Sequence, residues 1–206
     1  MKTLTPKDLF LTTERLNLRP TGAEDADLAV DIFTDAEVMR HFGPVMSDAD
    51  ARKEAVLAER RGAGGRIGVW TIIDKATEEK LGTVFLLPLP VEEPDTPWYQ
   101  VVADRYPDDD VEVGYLLKRS AWGRGYATEA CRRVLRFAFD ETPLEEIVAI
   151  TAPANTASQH VLRKCGMVET GMRRAYGEDC PGFQMTRRDW AELGKAGPGG
   201  METGVT

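Results

Sequence analysis

The sequence predicts an α+β domain. Three patterns carry that expectation. Four stretches place apolar residues at helical spacing, and seven short runs read as strands. The two kinds of element follow the order βααββ, βα, βα, ββ, without the regular alternation of a doubly wound sheet. The expected architecture is a central twisted sheet, mixed but mostly antiparallel, of about seven strands flanked by about four helices.

The first strand is read over 15–19, where Leu16 and Leu18 alternate with polar residues before Pro20. Thr21 is placed to cap the next helix, with Glu24 in the capping-box position and Ala26, Ala29, Val30 and Phe33 as its apolar stripe. The pattern breaks over 38–44. A second helix starts at Ser47, with Asp50 in the box position, and runs to about Arg61, where Gly62, Gly64 and Gly65 end it. Runs 67–73 and 81–87 flank a polar turn and predict a hairpin.

Residues 88–110 are rich in proline and acid, including Glu92, Glu93, Asp95, Asp104, Asp108, Asp109 and Asp110. So long a connection reads as a binding loop, a mobile insertion or a solvated loop. A strand at 111–117 precedes the loop Trp122-Gly123-Arg124-Gly125-Tyr126-Ala127 and a helix reaching Asp140. Its stripe is Ala127, Ala130, Cys131, Val134, Leu135 and Ala138, while Arg132, Arg133 and Arg136 fall on a face read as solvated. A strand at 145–151, a helix at 155–165 closed by Gly166, and strands at 167–172 and 182–187 follow. The domain is expected over 11–190, with a glycine-rich, disordered tail at 191–206.

Composition narrows the function classes. With 206 residues, 42% hydrophobic and 29% charged, the chain fits one soluble globular domain. Lys plus Arg total 26 against 34 Asp plus Glu, a net charge of −8 that argues against nucleic-acid binding. Cys131, Cys165 and Cys180 match no zinc spacing, with only His41 and His160 to assist, so no metal site is expected. Sparse cysteines, no signal-peptide pattern and no apolar run of membrane length predict a cytoplasmic protein with no membrane partner.

The glycine loop carries the chemistry. Glycines let the backbone turn tightly and approach a ligand, and the first helical turn presents unpaired N–H groups and partial positive charge. Together these form an anion site suited to a pyrophosphate, and Arg124 adds a cation. No Gly-Lys-Ser/Thr run exists for a P-loop, and Thr128 stands where a dinucleotide fingerprint needs glycine or alanine. A helix start that merely uses glycine at its cap is the structural alternative.

The surroundings of the loop are specific. The runs Glu112-Val113-Gly114-Tyr115-Leu116-Leu117 and Trp122 to Ala130, then Asn155-Thr156-Ala157-Ser158 and Val161 to Met167, resemble the GNAT superfamily of N-acetyltransferases. Within it they are similar to the branch containing the bacterial ribosomal-protein alanine acetyltransferases. The opening Thr13-Glu14-Arg15-Leu16-Asn17-Leu18-Arg19 is a weaker match. The resemblance implies acetyl-CoA as cosubstrate, an amine acceptor, and a homodimer, which is common in the family.

It also implies roles. Trp122, Gly123, Arg124, Gly125, Tyr126, Ala127 and Thr128 would hold the pyrophosphate, largely through backbone amides. Leu116 and Leu117 would meet the pantetheine arm through main-chain groups. Asn155 would contact the pantetheine, although it is also a good helix N-cap. Many members place an acidic tyrosine where Leu162 stands here, so donation to the leaving thiolate falls to Ser158. Arg119 replaces a common proline.

Amine attack on a thioester needs a base and oxyanion donors. Glu112 is the first candidate base, directly or through water; its strand phase opposes that of Val111 and Val113, so it shares their face only if a bulge intervenes, and the alternative is an ordinary exposed strand acid. Tyr176 is a further candidate for substrate contact, and backbone N–H groups near 113–115 could serve the thioester carbonyl. The acceptor is a protein N-terminus or a small-molecule amine. The alternative function is a non-catalytic acyl-CoA-binding or sensing module on the same fold; a dinucleotide oxidoreductase is a third reading.

Overall fold

The computed structural model describes residues 2–195. Eight strands form one sheet in the order β1-β2-β3-β4-β5-β6-β8-β7. They are β1 (Leu11–Thr12), β2 (Leu16–Pro20), β3 (Gly68–Asp74), β4 (Lys80–Pro88), β5 (Val111–Leu117), β6 (Glu146–Ile150), β7 (Val168–Ala175) and β8 (Glu178–Thr186). The helices are α1 (Ala26–Phe33), α2 (Ala36–Met39), α3 (Asp48–Ala58), α4 (Tyr126–Glu141), α5 (Thr156–Lys164) and α6 (Arg187–Lys195). Among the described residues no helix is long and apolar enough to cross a membrane.

Strand alternation explains the two layers. Trp70, Val84, Val113 and Leu117 project to one face and bury against Ala130, Val134 and Phe137 of α4. Trp70 and Phe137 meet edge to face at 5.5 Å. The opposite face is covered by α1, whose Leu28 and Ile32 pack with Val38 and Leu116.

All neighbouring strands pair antiparallel except β5 and β6. That parallel pair has one register contact, Glu112 opposite Val148, whereas β5 pairs with β4 along its full length. Residues 113–117 therefore have a strand neighbour on one side only, and the sheet is split from Glu112 onward.

Several elements follow local chemistry. Ser47 caps α3, its Oγ accepting from the Asp50 N–H at 3.2 Å. Asp74 Oδ1 accepts from the N–H groups of Ala76 (2.8 Å) and Thr77 (3.2 Å), forming the hairpin turn between β3 and β4.

Other expectations are corrected. Thr21 does not cap a helix; its Oγ1 lies 3.1 Å from Thr71 Oγ1. A short 3₁₀ turn at 23–25 precedes α1, and buried Asp25, not Thr21, receives the Gly22 N–H at 3.1 Å. Glu24 turns to Arg19 at 2.8 Å. A tertiary ion pair has displaced the local cap. The second helix ends at Ala58, short of Arg61, which turns inward to donate to Gly65 O (2.9 Å) and Val69 O (2.8 Å) with its guanidinium over Trp70.

β1, α2 and α6 lie outside the seven strands and four helices read from sequence. The last strand stops at Thr186, and residues 191–195 of the expected disordered tail are helical. The cause is a capping box: Thr186 Oγ1 accepts from the Asp189 N–H (3.2 Å) while the Asp189 carboxylate accepts from the Thr186 N–H (2.9 Å). Trp190 stacks on Phe139 at 5.9 Å, anchoring α6. The remaining tail positions, 196–206, lie outside the described residues.

The acidic connection 88–110 is braced rather than loose. Gln100 Oε1 accepts from the N–H groups of Asp108 (3.0 Å) and Asp109 (3.2 Å). Pro90 O and Val91 O accept from the N–H groups of Tyr176 (3.0 Å) and Gly177 (2.9 Å) at the β7–β8 turn, and Glu92 pairs with Arg174.

Candidate active site

The glycine loop joins β5 to α4. Gly123 (φ +71°) and Gly125 (φ +79°) both adopt the left-handed region that glycine tolerates without penalty. A Cβ built at Gly123 would meet nothing within 4 Å, so the space above the loop is open. Trp122 donates its indole N–H to Leu117 O at 2.9 Å, tying the loop back to the end of β5.

Two sequence-nominated side chains are structural. Tyr126 is buried and donates its hydroxyl to Asp74 Oδ2 at 2.6 Å, beneath the guanidinium groups of Arg15 and Arg124. Leu117 is buried in the α4 layer, which leaves only its backbone to meet a ligand. The weak opening motif also gains a reason. Arg15 pairs with Glu129 of α4 at 2.6 Å and donates to Arg124 O at 2.9 Å, clamping the loop from outside.

Beside the loop lies an open groove of about 750 Å³. Gly125, Thr128, Arg132, Arg133, Arg136 and Lys164 line it. The three arginines read as a solvated face thus border a concave cationic surface that runs up to the glycine loop. Arg119, the departure from proline, pairs with Asp35 at 2.7 Å and ties this end of the sheet to the α1–α2 junction.

α5 supplies the second group. Asn155 Oδ1 accepts from the Ser158 N–H at 3.1 Å, so its capping role is real and its amide nitrogen is left for other partners. Ser158 Oγ lies 3.0 Å from the Tyr115 hydroxyl. Leu162 is buried, as an apolar residue in this position must be. Burial pushes the Tyr115 hydroxyl far above the ordinary phenol range, so it acts as a neutral donor.

Glu112 projects to the other face of β5. No bulge interrupts its pairing with Leu87 of β4, so its phase opposes Val111 and Val113 as the sequence requires. It is nevertheless only 5% exposed, with the Tyr176 hydroxyl of the β7–β8 turn set against its carboxylate. The reading of an exposed strand acid is therefore wrong. Burial raises its pKa to about 7, partly offset by a hydrogen bond from the Tyr176 hydroxyl. Tyr176 holds a left-handed backbone (φ +51°) in the β7–β8 turn to make this contact.

The structure thus forms two pairs, Tyr176 with Glu112 on one face of β5 and Tyr115 with Ser158 on the other. They flank the split between β5 and β6. Tyr115 was legible only as a strand residue, because nothing local reveals a partner 43 positions away. On the Glu112 face a cavity of about 110 Å³ is bounded by Leu116 and Tyr176. Its other walls, from α1, α3 and the acidic connection, matched no motif.

A split mixed sheet with a left-handed glycine loop at the head of α4 is the architecture of a CoA-dependent acetyltransferase class. The acetyltransferase (GNAT) domain family matches residues 15–168. A Bacillus subtilis protein called YkkB is 32% identical over 158 residues, covering 76% of this chain and 84% of its own. The FsC-acetyl coenzyme A-N(2)-transacetylase of Aspergillus fumigatus is 30% identical over 198 residues, covering 90% and 79%. The crystal structure of a GNAT-family acetyltransferase from Bacillus anthracis superimposes with a TM-score of 0.67 at 21% identity, covering 87% of this chain and 99% of that one. The chain belongs to the GNAT acetyltransferase family and is an N-acetyltransferase.

Proposed function

We propose that this protein transfers the acetyl group of acetyl-CoA to a primary amine by direct attack, with Glu112 as base and Ser158 as donor to the leaving sulfur. The observation that carries the proposal is the opposition of the two pairs across the split. Glu112 with Tyr176 and Ser158 with Tyr115 occupy opposite faces of β5, at the point where its pairing with β6 ends.

The donor site fits the residues present. Unpaired N–H groups at the start of α4, left-handed glycines and open space above Gly123 suit a pyrophosphate. The groove bordered by Arg132, Arg133, Arg136 and Lys164 extends the same positive field. Bound there, acetyl-CoA supplies an activated thioester.

The residues then divide the chemistry. An amine is protonated at neutral pH, and Glu112 receives that proton, directly or through water. The amine nitrogen bonds to the thioester carbon, and the resulting oxyanion is served by backbone N–H groups near 113–115. As the carbon–sulfur bond breaks, Ser158 donates a hydrogen bond to the departing thiolate, its hydroxyl oriented by Tyr115, and the second proton lost from the attacking nitrogen passes to the thiolate, directly or through water, leaving the amide and the free thiol. Serine is a weak acid, so its contribution is a hydrogen bond first.

Thiol release from acetyl-CoA across a broad amine panel tests the proposal. Turnover with at least one primary amine is expected. Tight CoA binding without turnover for any amine would return the chain to a non-catalytic acyl-CoA-binding module.

A further inference from the structure

The cavity on the Glu112 face carries a statement about the acceptor, resting on the acetyl-transfer reading above. Its position ties it to the reaction. It touches Leu116, from the β5 end expected to meet the pantetheine arm, and Tyr176, which holds Glu112. A molecule seated in it therefore lies against the end of β5 and the tyrosine that contacts the base.

The walls are mostly apolar, built by Leu28, Ile32, Phe33, Phe85, Leu87 and Trp98. Phe85 is fixed over Gly114 so closely that a Cβ there would lie 2.2 Å from its ring. This wall cannot retreat toward β5. At about 110 Å³ the space is compact. An apolar cavity of roughly 150 Å³ takes up one benzene, so a single ring, partly extending through the open side, matches the scale.

The charged groups of the wall are acidic. Asp25 is neutralised by Arg19 at 2.7 Å and Lys80 at 3.2 Å. Glu54 and Asp95 are different. No Lys or Arg lines the cavity, and neither acid has an ion-pair partner among the described residues. Burial, with the Asp95 charge adding to it, raises the Glu54 carboxyl above its usual range. Asp95 also bears electrostatically on Tyr176, which places the negative field beside the base.

We infer that the acceptor is a small primary monoamine with a ring-sized apolar body, an arylalkylamine such as tyramine. The body fills the cavity, and the ammonium is drawn in by Glu54 and Asp95 before its proton passes to Glu112. An extended polyamine fits poorly. Its several charges would face apolar walls, and its length exceeds a one-ring cavity.

The test is thiol release with four acceptors: tyramine, ethylamine, spermidine and a short peptide with a free N-terminal alanine. Tyramine should give a kcat/KM at least tenfold above each of the others. Glu54→Gln, an isosteric change on partly exposed α3, should raise the tyramine KM about tenfold while leaving the acetyl-CoA KM unchanged. Preference for spermidine or the peptide, with acetyl-CoA still consumed, would overturn the acceptor assignment alone. An unaltered tyramine KM in Glu54→Gln would do the same. Absence of thiol release with all four, in a protein that binds CoA, would take down the acetyl-transfer reading together with this one.

Discussion

At the residue scale, the base role proposed for Glu112 predicts a pH dependence. Its folded pKa of about 7 lies above the ordinary 4.5 because burial disfavours the charged form. A base must be deprotonated, so kcat/KM should rise with pH through about 7 in the wild type. Glu112→Gln should remove that rising limb and lower kcat/KM by about 10²- to 10⁴-fold. A pH–rate profile of the variant that still rises through neutrality would place the base elsewhere. Stability has the opposite sense. A carboxyl with a raised folded pKa binds more protons folded than unfolded between 4.5 and about 7, so its contribution falls as pH rises through that window. Glu112→Gln should therefore flatten the decline of Tm over the same range.

Ser158 and Tyr115 form the second residue-scale test. Ser158→Ala should lower kcat about 10- to 100-fold, the worth of a hydrogen bond to a charged group, with CoA affinity nearly unchanged. Tyr115→Phe removes only the group that orients Ser158, so its kcat loss should be smaller, about 3- to 10-fold. Single-turnover kinetics separate these losses from changes in binding. Equal rates for Ser158→Ala and wild type would remove the serine from the mechanism. Sequence made Glu112 and Ser158 candidates. It did not reveal Tyr176 and Tyr115 as their partners, because those contacts span 64 and 43 residues.

At the element scale, the link from β5 to α4 depends on two left-handed glycines. Gly125 sits at φ +79°, a conformation that costs a residue with a Cβ about 1–2 kcal/mol and a β-branched one more. Gly125→Val should weaken CoA binding by at least about 100-fold, measured by calorimetry, and lower Tm by a few degrees. Affinity equal to wild type would show that the loop does not hold the pyrophosphate. Element reading from sequence worked where periodicity and turn residues agreed, as in the β3–β4 hairpin and α4. It failed at Thr21, where the Arg19–Asp25 ion pair outcompeted a local cap. At Thr186 a capping box was present in the sequence and was read as part of a strand.

At the scale of the whole molecule, Asp25 links three elements. It is 1% exposed, pairs with Arg19 of β2 and Lys80 of β4, and accepts from Thr71 of β3 at 2.8 Å. Burial opposes its charge, yet the Arg19, Gly22 and Thr71 hydrogen bonds outweigh it and hold the pKa below the usual value. The contribution of this carboxylate is present above the unfolded pKa of 3.8 and is lost as pH falls through the lower folded value. Asp25→Asn leaves Arg19 without a counter-charge and should destabilise the fold by about 3 kcal/mol in urea denaturation at neutral pH. A loss below about 1 kcal/mol would mean that the network is dispensable.

The sequence by itself determined the α+β class, the family and the glycine turn between β5 and α4. Each rests on short-range signals: helical or strand periodicity, glycine spacing, and residues within one turn of a helix start. Only the tertiary structure decided that Glu112 is buried, that Ser158 lies against Tyr115, and that a small cavity with acidic groups in its wall lies on the Glu112 face. The physical reason is that burial and pairing are properties of packed layers. The alternation of β5 sends Glu112 and Tyr115 to opposite faces, but what covers each face arrives from α1, α3, α5 and the 88–110 connection, far away in the chain.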